Sequence, residues 1–141
     1  MQVRILVPVD GSAGALRAVQ HAAAVVKEGA EVELVNVQPP MPLYGMVRAY
    51  MRAPQYRAAC EALSRKALDP AIRLLKRARV AHRTHVLYGE PGPAVADAAR
   101  RLKCRAIMMG TRGQGAVGSL LLGSVATKVV HLAKVPVTLV K

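Results

Sequence analysis

Glycines gather in the last third of the sequence, directly after a short apolar run. Ala106 to Met109 has the length of a buried strand, and Gly110 and Gly113 follow it. Gly123 and Ser124 then begin a stretch with a helical pattern. A glycine loop between a strand and a helix start is typical of a phosphate site. Main-chain N–H groups can approach the anion closely there, and the helix start adds unpaired donors and a positive dipole end.

Two other phosphate-binding signatures do not fit this loop. Gly113, Gly115 and Gly118 have the spacing of a dinucleotide fingerprint, but that fingerprint lies at the first strand–helix turn. It also needs an acidic residue about 20 positions later, and no Asp or Glu follows Asp97 here. A P-loop would end in Gly-Lys-Ser or Gly-Lys-Thr, and no lysine stands in the loop. Both interpretations are therefore set aside.

The spacing Gly110-x2-Gly113-x9-Gly123-Ser124 is similar to the nucleotide-binding signature of the universal stress protein family. The resemblance continues in residues 5–12, whose Ile-Leu-Val-Pro-Val-Asp-Gly-Ser run is similar to the family's first strand and turn. It covers residues 1–141 as one domain, least closely between 38 and 81. It implies ATP or another adenine nucleotide as the ligand, with Mg²⁺ left open, and a role as a stress-response sensor or regulatory module.

The hydrophobic pattern predicts five strands that alternate with helices. Val3 to Val9 and Glu31 to Val37 are apolar runs separated by a helical pattern, which indicates a right-handed parallel unit. Arg83 to Tyr88 and Val135 to Val140 continue the alternation. The sequence thus predicts a doubly wound, Rossmann-like α/β domain with helices on both faces of a five-stranded parallel sheet. The resemblance implies the strand order 3-2-1-4-5.

The segment between the second and third strands is the least regular part of the chain. Gln38 to Pro54 contains four prolines and several apolar side chains. It predicts a loop with a helical turn, folded over the sheet edge or the ligand mouth. Tyr56 to Ala78 keeps a helical period with a basic outer face, and it predicts a helix that kinks or restarts at Pro70.

In the implied order the first and fourth strands are neighbours, and ligands bind at the carboxyl ends of such strands. The resemblance assigns to the adenine and ribose Pro8, Val9, Asp10 and Val37. It assigns to the ribose and phosphates Gly110, Arg112, Gly113, Gly123, Ser124 and Val125. The main chain of Met109 would border the same crevice.

Several of these residues have a second interpretation. Asp10 would also suit the turn before the first helix, although Ser12 is available as the helix cap. Arg112 fits a solvent-exposed loop cation as well as a phosphate clamp. The glycines would also suit a tight turn, but their number favours close approach to a ligand. No catalytic or metal-binding residue is predicted, and slow ATP hydrolysis is the enzymatic alternative.

The net charge of +13 is not explained by nucleotide binding. Lys and Arg number 21 against 8 acids, a balance that attracts polyanions. A basic nucleic-acid-associated protein is therefore a further alternative. A solvated cationic surface is favoured over it, because the chain has no Trp or Phe and only 4 Tyr. Proteins that bind single strands usually stack the bases on aromatic side chains.

Location and assembly give two more expectations. No apolar run reaches the roughly 18 residues of a membrane span. There is no signal-peptide layout, and the two cysteines lack metal or disulfide spacing. We therefore expect a cytoplasmic protein.

The last strand is an edge in the implied order and is apolar without a guarding charge, which invites pairing with another chain. We expect a homodimer joined through Val135, Val137 and Leu139.

Overall fold

A computed structural model describes residues 2–113 and 122–141, in which five parallel strands form one sheet. The strands are β1 Arg4–Pro8, β2 Glu31–Gln38, β3 Ala81–Tyr88, β4 Ala106–Gly110 and β5 Val137–Val140. Their order is β3-β2-β1-β4-β5. In the register, Leu6 of β1 lies beside Ile107 of β4. The fold class and the strand order expected from the sequence are both confirmed.

Helices connect the strands and cover both faces of the sheet. Those within the described residues are α1 Ala13–Val25, α2 Met46–Tyr50, α3 Ala53–Arg77, α4 Pro91–Arg101 and α5 Ser124–Leu132. Helices α1 and α3 pack on one face, and α4 and α5 pack on the other. None of these helices combines the length and the apolar character needed to cross a membrane.

Each face of the sheet has its own apolar core, because successive side chains of a strand point to opposite faces. Neighbouring residues of β1 show this division. Val7 belongs to the core under α1 and α3, whereas Leu6 belongs to the core under α4 and α5. Both side chains are fully buried. This accounts for the nearly continuous apolar run of the first strand.

Helix α3 passes through Pro70 without interruption. Of the two predicted outcomes at that residue, the restart is wrong, and the kink stays a prediction. Proline lacks the N–H that would bond one turn back, and this normally ends or bends a helix. Here Leu68, Ala71 and Leu75 are buried on both sides of the proline. Their packing against the sheet holds the two halves as one helix.

The last strand is shorter than the sequence pattern predicts. It begins at Val137, so Val135 lies outside it. The carbonyl of Pro136 accepts a hydrogen bond from the Ile107 amide at 2.9 Å, but proline has no N–H to extend the ladder. Val135 instead packs against the core under α4 and α5. β5 is an edge strand, as expected.

Two carboxylates are buried at the starting end of β2. Glu33 is only 1% exposed, and its Oε1 lies 3.5 Å from Arg4 Nε while its Oε2 lies 2.6 Å from His85 Nε2. Glu31 is paired with Arg83 at 2.9 Å. Buried carboxylates require such partners, because an uncompensated buried charge is strongly destabilising. Arg4, the one charge in the first strand, thus completes an ion cluster at the end of the sheet away from the strand carboxyl ends.

Helix α3 offers a direct test of this packing, because Leu75 is fully buried and Leu63 is 59% exposed. Leu75→Ala should lower the free energy of unfolding by about 2–5 kcal/mol, since it leaves a cavity under the sheet. Leu63→Ala should change it by no more than about 0.5 kcal/mol. Urea denaturation followed by circular dichroism measures both. Equal losses from the two variants would contradict the assignment of the buried face.

Candidate functional site

A cavity of about 330 Å³ lies at the carboxyl ends of β1, β2 and β4, a volume typical of small-molecule sites. The chain leaves β1 toward α1 on one face and β4 toward α5 on the other, which makes this the topological switch point of the sheet. The eleven residues that the sequence analysis assigned to a site all line this cavity: Pro8, Val9, Asp10, Val37, Met109, Gly110, Arg112, Gly113, Gly123, Ser124 and Val125.

The turn after β1 is fixed by Asp10 and Ser12 together. Asp10 Oδ1 accepts a hydrogen bond from the Ser12 main-chain N–H at 2.9 Å. Ser12 Oγ in turn accepts from the Ala15 N–H at 3.1 Å and caps α1. Of the two interpretations of Asp10, the turn role is therefore present, and the helix cap belongs to Ser12. The same carboxylate also lines the cavity.

Asn36 is a cavity-lining residue that the sequence analysis did not single out. Its Nδ2 donates to the Val9 carbonyl at 2.7 Å. Its Oδ1 accepts from Ser64 Oγ of α3 at 2.6 Å and from Gln38 Nε2 at 2.8 Å. This buried network anchors the main chain just before Asp10 to both β2 and α3. A polar residue inside an apolar strand was the available signal.

The glycines around the cavity are explained by close packing between chain segments. A Cβ on Gly110 would lie 2.9 Å from the main chain of Gly14 in α1, and a Cβ on Gly14 would lie 2.7 Å from the Arg112 carbonyl oxygen. A Cβ on Gly113 would overlap Asp10 Oδ2. These glycines let the loop after β4 press against the start of α1. The two alternatives considered from the sequence, a tight turn and a ligand, both overlooked this contact.

The start of α5 forms the polar wall of the cavity. Gly123 is the N-cap, and its N–H donates to the Thr111 carbonyl at 2.6 Å. Ser124 and Val125 follow at the cavity wall. In a helix, the N–H groups of the first turn have no acceptor within the helix and point out of its start. The first turn of α5 carries no acidic side chain, so this wall favours an anion.

Another part of the cavity lining is apolar, and we call it the apolar wall. Val35 and Val37 of β2, Val95 of α4 and Met109 of β4 line it, with Pro91 beside them. A flat apolar group with an anionic tail would find complementary surfaces at the two walls. An adenine nucleotide is a ligand of this kind.

Arg112 is an exposed residue that lines the cavity. The rest of the predicted glycine loop, including Gly115 and Gly118, falls in 114–121, outside the described residues.

Part of the cavity lining had no sequence signal at all. Pro91 and Val95 come from α4, which precedes β4 and does not follow any of the strands that end at the cavity, so only the tertiary fold brings them there. Thr111 lies between two predicted residues and Ser12 lies two positions after Asp10, so both could have been inferred with them. The lining residues that were not predicted as site residues are Ser12, Ala15, Val35, Asn36, Pro91, Val95, Thr111 and Ala126.

Fold and cavity together define a Rossmann-like α/β domain with a cavity at its switch point. A family model described as the universal stress protein family matches residues 1–141. A universal stress protein of Thermus aquaticus, named for its place in the QAH/OAS sulfhydrylase 3′ region, is 37% identical, with 97% of each chain covered. One of Methanocaldococcus jannaschii is 32% identical over 98% of this chain and 81% of the relative. The chain belongs to the universal stress protein family.

Solved structures of the family have the same fold. A universal stress protein in complex with cAMP has a TM-score of 0.68 at 25% identity, covering 99% of this chain and 96% of that one. The Archaeoglobus fulgidus universal stress protein in complex with dAMP has a TM-score of 0.70 at 23% identity, covering 100% and 98%.

The packing of the loop after β4 against α1 can be tested at Gly14. In most helices Gly→Ala stabilises by about 0.5–1 kcal/mol. Here the added methyl would lie 2.7 Å from the Arg112 carbonyl oxygen, so Gly14→Ala should instead destabilise by about 1–3 kcal/mol. Thermal and chemical denaturation measure the sign. A gain in stability would show that the loop and the helix are not in this close contact.

Proposed function

We propose that this chain binds ATP in the cavity at the carboxyl ends of β1 and β4, and that it acts as a regulatory module in the stress response. The observation that carries the proposal is that the turn after β1 and the segments around α5 meet at one cavity. Eleven residues from separate parts of the sequence line one cavity with a helix start and an apolar wall. The cAMP and dAMP complexes of family members give independent support for an adenine nucleotide.

In the proposed mode, the adenine lies against the apolar wall formed by Val37 and Val95. The ribose lies near Asp10, whose carboxylate is held in place by the Ser12 amide. The phosphates lie at the start of α5, where main-chain N–H groups and the Ser124 hydroxyl donate, and Arg112 adds charge. If Mg²⁺ accompanies ATP, Asp10 is the carboxylate of the described cavity lining that would approach it.

A regulatory role requires that ligand binding in the cavity change the structure at another place in the protein. The loop after β4 supplies such a connection. Thr111 accepts from the Gly123 amide at the cavity, and its own amide donates to the Val140 carbonyl of β5 at 3.3 Å. Thr111 thereby connects the cavity to the edge strand. We place this activity in the cytoplasm, a location supported by Cys60 and Cys104, which are both buried and free.

Ser124→Asp separates phosphate recognition from folding. An Asp in the first turn of a helix interacts favourably with the dipole, so stability should be kept or raised. The new carboxylate would repel the phosphates at short range. ATP affinity should fall by about tenfold or more, while adenosine affinity should change less than about twofold. Isothermal titration calorimetry with ATP, AMP and adenosine measures the difference.

Ser124→Ala is the matched control, because it removes only the hydroxyl and should weaken ATP binding far less than the Asp variant does. If Ser124→Asp binds ATP as tightly as the wild type, the phosphates do not lie at α5. If the wild type gives no binding heat and no thermal shift at millimolar ATP, the proposal fails as a whole.

We also propose that the protein is a homodimer paired along β5. This edge strand is apolar, and the outward Leu139 is exposed. An unguarded edge of this kind is a template for pairing. The link from Thr111 to Val140 would bring the nucleotide loop next to the dimer interface.

A charge on the edge should abolish this pairing. Light scattering behind size exclusion should give twice the chain mass for the wild type at tens of micromolar. Leu139→Lys should give the single-chain mass, since an edge lysine blocks strand pairing. Val130→Lys, an exposed apolar position on α5, is the control and should remain dimeric. A wild-type mass of one chain would contradict the proposal.

A further inference from the structure

The segment between β2 and α3 projects into solvent. The sequence pattern predicted that it folds over the sheet edge or the ligand mouth. Residues 42–50 are all exposed and none of them lines the cavity, which speaks against the second position. Its short helix α2 has no buried residue. This exposure is unusual for the residue types present. The exposed fractions are 77% for Leu43, 84% for Tyr44, 78% for Met46 and 82% for Tyr50.

The same segment is purely cationic. Arg48, Arg52 and Arg57 lie in it or directly after it, and no Asp or Glu occurs between Glu33 and Glu61. Three guanidinium groups therefore alternate along the chain with exposed rings and apolar side chains, with no carboxylate in the stretch to offset them.

The remaining two tyrosines lie at the base of this segment. Tyr56 donates to the Pro39 carbonyl at 2.7 Å, which fixes the start of the segment against α3. The guanidinium of Arg57 lies 5.7 Å from the centre of the Tyr88 ring. The four tyrosines of the chain, Tyr44, Tyr50, Tyr56 and Tyr88, thus lie in this segment or at its base. We call residues 41–57 together with Tyr88 the tyrosine–arginine surface.

We propose that the tyrosine–arginine surface binds single-stranded nucleic acid. Proteins that hold single strands combine cations, which contact the phosphates, with aromatic rings, on which bases stack. Both kinds of group are present here and exposed. The scarcity of aromatic residues argued against this function in the sequence analysis. The four tyrosines, however, share one segment and its base with the arginines, and none of them is buried.

The charge of this surface favours nucleic acid over the two other partners considered, a second copy of the chain and an acidic protein. A second copy of the chain would bring its own arginines against Arg48 and Arg52, so self-association is opposed by repulsion. An acidic protein would suit the three arginines and the apolar side chains. The net charge of +13, however, attracts anions to the whole molecule and not only to this surface. A long polyanion can interact with much of that charge, whereas a compact partner cannot.

The binding mode also predicts whether single-stranded or double-stranded nucleic acid binds more tightly. The rings of Tyr44 and Tyr50 can stack only on bases that are not already stacked within a duplex. Single strands should therefore bind more tightly than a duplex of the same length and charge per strand. A purely electrostatic surface would show no such preference, because a duplex has the higher charge density.

Fluorescence anisotropy of a labelled 20-nucleotide oligothymidylate and of a labelled mixed-sequence RNA, each in a salt series, tests the proposal. Tyr44→Ala/Tyr50→Ala should weaken binding by about tenfold or more, in line with the measured contribution of base stacking on aromatic side chains. Arg48→Gln/Arg52→Gln should also weaken it and should reduce the slope of log affinity against log salt by about 1.4, since each lost phosphate contact removes about 0.7 for single strands.

Lys76→Gln/Arg77→Gln is the matched control. It removes the same two charges from the far end of α3, and both side chains are exposed. It should weaken binding by less than about threefold. All three double variants should keep the wild-type ATP affinity, because none of these residues lines the cavity. Failure of nucleotide binding would thus be distinguished from failure of this proposal.

Three outcomes would overturn the proposal. The first is the absence of oligonucleotide binding by the wild type at 150 mM salt, which would leave an acidic protein as the partner of this surface. The second is an equal loss from the Tyr44→Ala/Tyr50→Ala and Lys76→Gln/Arg77→Gln variants. The third is tighter binding of the duplex than of the single strand, which would indicate unspecific attraction to phosphate charge.

Discussion

The close approach of the loop after β4 to the start of α1 is the contact on which the site depends. It joins the carboxyl ends of two neighbouring strands whose connections leave to opposite faces of the sheet. Gly110 and Gly14 allow main chain to touch main chain, and Gly113 leaves room for the Asp10 carboxylate. The cavity exists because these segments meet beside it and hold each other in place. Side chains at these positions would push them apart.

The remainder of the fold keeps these strand ends in register. Two apolar cores clamp the sheet from both sides. The buried carboxylates of Glu31 and Glu33, with their arginine and histidine partners, fix the starting ends of the central strands. At the other end, Asn36 ties the main chain of Val9 to α3 through Ser64. The site is thus positioned by a rigid sheet and by one buried amide network.

The sequence was sufficient to predict the fold, because its apolar runs and helical stripes have the two periods that define strands and helices. It was also sufficient to bring the glycine loop and Asp10 together, since resemblance implied the strand order. It could not decide whether the helix continues through Pro70 or restarts there, because burial on both sides decides that. It could not assign Pro91 and Val95 to the cavity either, since no local pattern marks a residue that reaches a site only through tertiary packing. The exposure of residues 42–50 could not be predicted either, because an apolar segment is ordinarily expected to pack against the rest of the protein.

The central claim is that main-chain amides at the start of α5 hold the phosphates of an adenine nucleotide whose base lies on the apolar wall. A crystal structure of the protein grown with ATP tests this most directly. The account predicts phosphate oxygens at hydrogen-bonding distance from the main-chain nitrogens of Ser124 and Val125, with the adenine beside Val37. Nucleotide bound elsewhere on the molecule, or a cavity without nucleotide at saturating ATP, would contradict it.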